Sequence, residues 1–298
     1  MSHSRNRTSG ITAQDESAVT VSSMQKLYDR YFASHDYKRR YPVPNPATLQ
    51  FLLQQGQAVT ATSILDVGCG DGRYAIALLD ATHATVTGCD ISGAALAEFA
   101  AHLKTRPDAE RVRLVHGPVE SLPSVQPDVT GAADPRHDLS LLLFGVLSHA
   151  GDLTARLRML SAIREQTKPD GRLLLSVPSI WRRRPVELAK GVWRKIFGDK
   201  DLGTQTGDII FTRVIDGQSQ SFFYHLYSVR GLKHELEQAG WLMQSSQAES
   251  LLPEWLVTQY PWIGRFDRLV RPLLPAALGY GIRVVATVNP KNTLVMSL

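Results

Sequence analysis

Cysteine is almost missing from this chain of 298 residues, which holds two, Cys69 and Cys89. That scarcity excludes a disulfide scaffold and any zinc site built from several cysteines, and it suits a reducing, cytoplasmic setting. The nine histidines show no metal-ligand spacing, so no metal is expected. Long apolar runs are also absent. The best, Leu139 to Leu147 and Leu173 to Val177, have the length of core strands and fall far short of the roughly 20 residues a membrane span needs. The chain does not open with the basic start and apolar stretch of a secretory signal. Residues 1–23 are mostly polar and read as a disordered tail. No internal repeat is visible.

What is present is an ordinary globular composition, 43% hydrophobic and 20% charged, with enough length for one large core. Charge is split unevenly. Residues 51–100 hold one basic and five acidic side chains, whereas residues 151–200 hold twelve basic and five acidic ones. All five tryptophans lie at or beyond Trp181. The chain therefore presents two differently made surfaces.

Periodicity organises it further. Met24 to Phe32 has helical spacing, Tyr41 to Pro46 interrupts it, and Ala47 to Gln54 is a second helix ending at Gly56; together 24–56 reads as a helical lid. From Ser63 strands alternate with helices: strands Ile64–Val67, Thr85–Cys89, Val112–Val115, Asp138–Phe144 and Arg172–Val177, with helices Tyr74–Asp80, Ala94–Leu103 and Leu153–Thr167 between them. This predicts an α/β fold, a Rossmann-like, mostly parallel sheet with helices on both faces. The pattern breaks at 178–221, where a helix is expected from Pro185 to Phe197 and strand-like pieces around Ile209 to Ile215. It resumes with Phe222–Tyr227, Val229–Ala239, Trp241–Ala248 and Tyr280–Val288, leaving a second, irregular insertion at 250–279. Residues 57–298 are thus expected to form one domain with two insertions.

The sharpest motif is Leu65-Asp-Val-Gly-Cys-Gly-Asp-Gly72, a strand running into a glycine-rich turn that opens a helix. Its glycines do not match the dinucleotide fingerprint, whose third glycine would fall at Arg73. A ligand without a pyrophosphate fits better. Asp90 ends the next strand, where a carboxylate accepts hydrogen bonds from vicinal ribose hydroxyls. The competing reading makes Asp66, Asp71 and Asp90 plain caps of turns and helices.

On these residues the chain resembles the class I S-adenosylmethionine-dependent methyltransferases over about 60–180 and the final strands. The resemblance implies seven strands with the last antiparallel, and S-adenosyl-L-methionine as cofactor. It places Gly68, Cys69 and Gly70 along the methionine part, Asp66 beneath its amino group, Asp90 on the ribose with Ile91 beside it, and Val119 and Glu120 beside the adenine. Phe144 is expected against the cofactor. Pro118 departs from the family, which usually has an acidic residue there.

Methyl transfer needs alignment, and a general base only when the acceptor carries a proton that must leave. His149, after the fourth strand, has the intrinsic pKa for that role, and His225 is the alternative base; each also reads as a structural histidine. Phe223, His225 and Tyr227 are expected on one strand face, either as acceptor wall or as core. Tyr28, Tyr31 and Tyr41 read as lid aromatics or as helix packing. Trp181 and Arg182 to Arg184 read as the mouth of the acceptor site or as a solvated face.

The leading function is methylation of a small or medium-sized organic acceptor. A second reading is a tRNA wobble-uridine carboxymethyl methyltransferase, which Leu147-Ser-His149 and Tyr224-His-Leu-Tyr227 resemble, with nucleic acid as partner. A third is a non-catalytic cofactor-binding protein. The mixed apolar and basic stretch Trp262 to Pro272 fits either a membrane surface or packing against the sheet.

Overall fold

The computed structural model describes residues 21–58, 60–124, 134–182, 189 and 206–290. The strands are β1 (Ser63–Val67), β2 (Thr85–Asp90), β3 (Val112–His116), β4 (His137–Leu142), β5 (Thr167–Pro178), β6 (Asp208–Ile215), β7 (Gln218–His225), β8 (Trp241–Ala248) and β9 (Gly281–Val288). The helices are α1 (Val21–Ala33), α2 (Asp36–Arg40), α3 (Pro46–Ala58), α4 (Arg73–Ala81), α5 (Gly93–Leu103), α6 (Leu153–Glu165), α7 (Val229–Gln238), α8 (Glu254–Gln259) and α9 (Pro261–Val270).

Seven strands form one sheet in the order β3-β2-β1-β4-β5-β9-β8. β1 to β5 pair in parallel, and β9 runs antiparallel to both β5 and β8. The strand order reverses between β1 and β4, and crevices for ligands open at the carboxyl ends of strands around such a switch point. β1 and β4 are buried without alternation because both sheet faces are covered. Ile64, Leu139, Leu141 and Leu174 pack with Leu52, Leu78 and Phe99 of α3, α4 and α5. Their neighbours Leu65, Leu142, Leu173 and Leu175 pack on the other face with Leu160, Ile163, Leu232 and Leu236 of α6 and α7. Each such buried side chain contributes about 1.5–3 kcal/mol relative to exposure.

Two buried ions fasten the second face. The Arg156 guanidinium donates to both Glu235 oxygens at 3.1 and 2.7 Å, and the Tyr227 hydroxyl donates to Glu235 at 3.2 Å, joining α6 to α7.

Several boundaries differ from the sequence expectation. α1 begins at Val21, so Val21 to Ser23 are helical; residues 1–20 of the expected tail lie outside the described residues, as does most of the helix expected from Pro185 to Phe197. α3 passes through Gly56, which is not among the glycines with positive φ and therefore provides no left-handed cap. Strand β7 pairs with β6 in a separate two-stranded hairpin and not with the seven-stranded sheet. The second insertion, expected to be irregular, contains α8 and α9. On α9 Trp262, Phe266 and Leu269 are exposed. Among the described residues no helix is long and apolar enough to cross a membrane.

Candidate active site

The glycine loop leaves β1 through a run of left-handed residues: Gly68, Gly70 and Gly72 have φ of 71°, 58° and 79°. A Cβ at Gly68 would stand 2.5 Å from Val146, and one at Gly72 would stand 2.2 Å from the Phe99 ring. Glycine is thus required for conformation and for close packing alike. Asp90 locks the loop in place, its Oδ2 accepting from the Gly70 amide at 2.9 Å and its Oδ1 from the Ser92 amide at 2.8 Å. A carboxylate oxygen accepts more than one hydrogen bond, so both oxygens retain capacity for hydroxyl donors.

Asp66 is buried beneath this loop. Burial and the neighbouring Asp90 carboxylate push its pKa up to about 7, and burial raises that of Asp90 as well. Two carboxylates held this way are complementary to a cation. The Cys69 and Cys89 thiols are likewise pushed well up by burial and by these acids, which keeps them protonated.

A cavity of about 210 Å³ runs along the carboxyl ends of β1, β2 and β4. Asp66, Gly68, Cys69, Gly70, Asp90, Ile91, Val119, Glu120, Phe144, His149 and Tyr28 all line it. Helix α1 closes it with Val21, Met24 and Phe32, anchored where Asp29 accepts from the Ser92 hydroxyl at 2.8 Å and the Ala94 amide at 3.1 Å. Pro118 lines the cavity too, so the adenine end expected there has Val119, Glu120 and backbone but no acid at 118.

A second cavity, of about 130 Å³, shares Tyr28, Tyr37, Arg73, Phe144 and His149 with the first. The shared wall is built by a strained turn. β4 stops at Leu142, and Phe144 (φ 55°) and Gly145 (φ 78°) are both left-handed, Phe144 at a cost of about 1–3 kcal/mol. Ser176 holds the turn, its hydroxyl accepting from the Phe144 amide at 2.8 Å and its carbonyl from Gly145 at 2.9 Å. The Phe144 ring stacks on Tyr74 at 4.9 Å. In the following 3₁₀ turn His149 donates from Nδ1 to the Phe223 carbonyl at 2.8 Å. That bond leaves Nε2 as the unprotonated nitrogen of the neutral ring, the form a general base requires. The ring is packed at 4.6 Å from Tyr224 and 5.6 Å from Tyr28.

Other expected residues lie apart from both cavities. His225 is buried against Asp208, with Nδ1 2.5 Å from its carboxylate, and Tyr227 is in the core on Glu235. Phe223 touches the site only through its carbonyl. The opposite face of β7 points inward, so Phe222 and Tyr224 line the second cavity. Trp181 is 69% exposed, and Arg182 donates to the Leu251 carbonyl at 3.2 Å; Arg183 and Arg184 are outside the described residues. Sequence reasoning missed Arg73, Tyr37, Arg40, Phe211, Arg213 and Trp255 as lining residues. Stacked Phe211 and Phe222, 5.3 Å apart, carried a faint signal in the alternation of β6 and β7.

Residues 64–171 match the family model described as a methyltransferase domain. The stretch matched, a methyltransferase domain by that model, spans little more than a third of the chain. The fold around the domain agrees. A methyltransferase from Clostridium acetobutylicum, described as S-adenosylmethionine-dependent, superposes with a TM-score of 0.56 at 11% identity, covering 88% of this chain and 99% of its own. The 1,6-didemethyltoxoflavin-N1-methyltransferase of Burkholderia thailandensis gives 0.54 at 18% identity, covering 94% and 98%. The CcbJ methyltransferase of Streptomyces caelestis gives 0.54 at 15%, covering 83% and 91%. No curated protein matches the sequence.

Proposed function

We propose that this chain methylates a small or medium-sized organic acceptor, held in the second cavity and facing the cofactor across Phe144 and His149. The observation that carries this reading is the pair of cavities joined at five residues, one lined by acids and glycine backbone, the other by aromatics and arginines. The toxoflavin precursor named with the Burkholderia structure is an acceptor of that size class.

The residues present fit the cofactor. Asp66, with no cation offsetting its burial, suits the cofactor's ammonium, and Asp90 suits the ribose hydroxyls. S-adenosylmethionine, when bound, supplies a methyl group on a sulfonium. The protein's work is alignment and exclusion of water. Phe144, Tyr28 and Tyr37 wall the junction, α1 covers it as a lid, and His149 takes a proton at Nε2 when the acceptor nucleophile carries one. The second cavity is walled by α1, α2, the β6–β7 hairpin and α8, which favours an enclosed small molecule over a polynucleotide.

The test is turnover. Purified protein, S-adenosylmethionine and pools of small phenols, amines and carboxylic acids are incubated, and methylated products are sought by mass spectrometry. Product formation that is lost in His149→Gln supports the reading. Cofactor binding without turnover on any acceptor, small or tRNA, favours a non-catalytic protein, and methylation confined to tRNA contradicts it.

A further inference from the structure

The second cavity holds two cations and a hydroxyl that the chemistry above leaves unused. Tyr31 is 3% exposed, and its hydroxyl has no hydrogen-bond partner of standard geometry. The Arg213 and Arg40 guanidiniums lie close enough for both to draw its pKa down against the upward push of burial. The central carbon of Arg213 is 5.1 Å from the Tyr31 ring and 5.4 Å from that of Phe222, so its guanidinium is flanked by π faces. That of Arg40 is 5.8 Å from the Trp255 ring, and its Nε is buried without a hydrogen-bond partner.

Two other arginines are matched by carboxylates, and the buried Arg283 by the Ala47 carbonyl and the Gln247 side chain. Arg156 has Glu235 at 2.7 Å, and Arg73 has Glu254 at 3.1 Å. Among the described residues no carboxylate comes within ion-pairing distance of Arg40 or Arg213. Two acids line the same cavity. Glu254 is engaged by Arg73 and by the Tyr74 hydroxyl at 3.2 Å, and Glu249 acts on Arg271 and Arg283. Partly desolvated guanidiniums beside a buried hydroxyl form a fork for a planar anion.

We infer that the acceptor is a planar aromatic carboxylic acid, its carboxylate bound by Arg213, Arg40 and the Tyr31 hydroxyl and its ring packed against Phe211, Phe222 and Trp255. This rests on the methyltransferase reading for the acceptor role, though the anion site itself does not. Position supports it, because the same cavity reaches His149 and Phe144, where the nucleophile must lie.

Calorimetry with matched pairs, benzoate against benzamide and naphthoate against naphthamide, is performed with and without saturating S-adenosylhomocysteine. The acids are expected to bind at least about tenfold more tightly than their amides. Arg213→Gln and Arg40→Gln should each erode that preference, and the double variant should bring acid and amide within about twofold, while affinity for S-adenosylhomocysteine holds. Tyr31→Phe should weaken binding of the acids and leave that of the amides unchanged, because it removes one donor to the carboxylate. Equal binding of acid and amide, binding of neither, or a preference that survives the double substitution overturns the inference. Failure of S-adenosylhomocysteine to bind, with the acid preference intact, would instead overturn the methyltransferase reading alone.

Discussion

Replacing Asp66 by Asn exposes how the cofactor site is charged. An aspartate ionises ordinarily near 3.8, whereas Asp66 does so at about 7 because it is buried beside Asp90. At about 1.4 kcal/mol per tenfold, that difference sets a cost of roughly 4 kcal/mol for carrying the ionised side chain in the cofactor-free protein at pH 8. The folded protein keeps a proton that the unfolded chain has already lost. The cost is therefore absent below about pH 4, grows between about 4 and 7, and is constant above. Asp66→Asn removes this dependence, and the Cys69 and Cys89 thiols that it also influences stay protonated through burial. Urea unfolding of both proteins from pH 4 to 8 should give curves that diverge as pH rises, the variant becoming more stable by as much as roughly 4 kcal/mol. Binding should show the reverse. A cation over Asp66 draws its pKa back down, so near pH 6 the unsubstituted protein releases a proton on binding S-adenosylmethionine, and affinity rises towards pH 7. The variant should bind at least about tenfold more weakly and release no proton from this site. Calorimetry in buffers of different ionisation enthalpy reads both. Parallel stability curves, or equal proton release, would refute the reasoning.

His149→Gln keeps a donor near the Phe223 carbonyl and removes the base; kcat should fall by about 100-fold on an acceptor that loses a proton, with cofactor affinity unchanged in calorimetry. Gly72→Ala forces a Cβ to 2.2 Å from the Phe99 ring at φ 79°, and thermal unfolding should show a loss of about 2 kcal/mol or more without any ligand present. Arg156→Met strands the Glu235 carboxylate in the core and should cost about 3–5 kcal/mol in urea unfolding, much of which the double variant Arg156→Met with Glu235→Leu should recover.

That the residues singled out around the glycine turn would line one cavity was legible because their signal is local. A strand, a glycine turn and the aspartate of the next strand lie within 26 residues, Leu65 to Asp90, and glycine is forced there by backbone geometry and by contact with Val146 and Phe99. The alternation of apolar strands and helices predicted the mostly parallel sheet for a similar reason. The second cavity is assembled from α1, α2, the hairpin and α8, whose side chains meet only in the folded chain. Alternation along β7 groups Phe223 with His225 and Phe222 with Tyr224, but which pair faces inward depends on how the hairpin docks, which no local pattern encodes. The positive φ of Phe144 is likewise invisible in sequence, because a bulky residue there is held by Ser176 from a different strand. Arg213 carried no reading in the sequence, and it became a lining residue only with Tyr31, Phe211 and Phe222 around it.

The central claim, that the acidic glycine-lined cavity takes an adenosylated amino acid, is tested most directly by calorimetric titration with S-adenosylhomocysteine. Saturable binding of one molecule per chain is expected, abolished by Asp90→Ala in a protein that still unfolds cooperatively. Absence of binding to the folded, unsubstituted protein, or binding indifferent to Asp90, would contradict it.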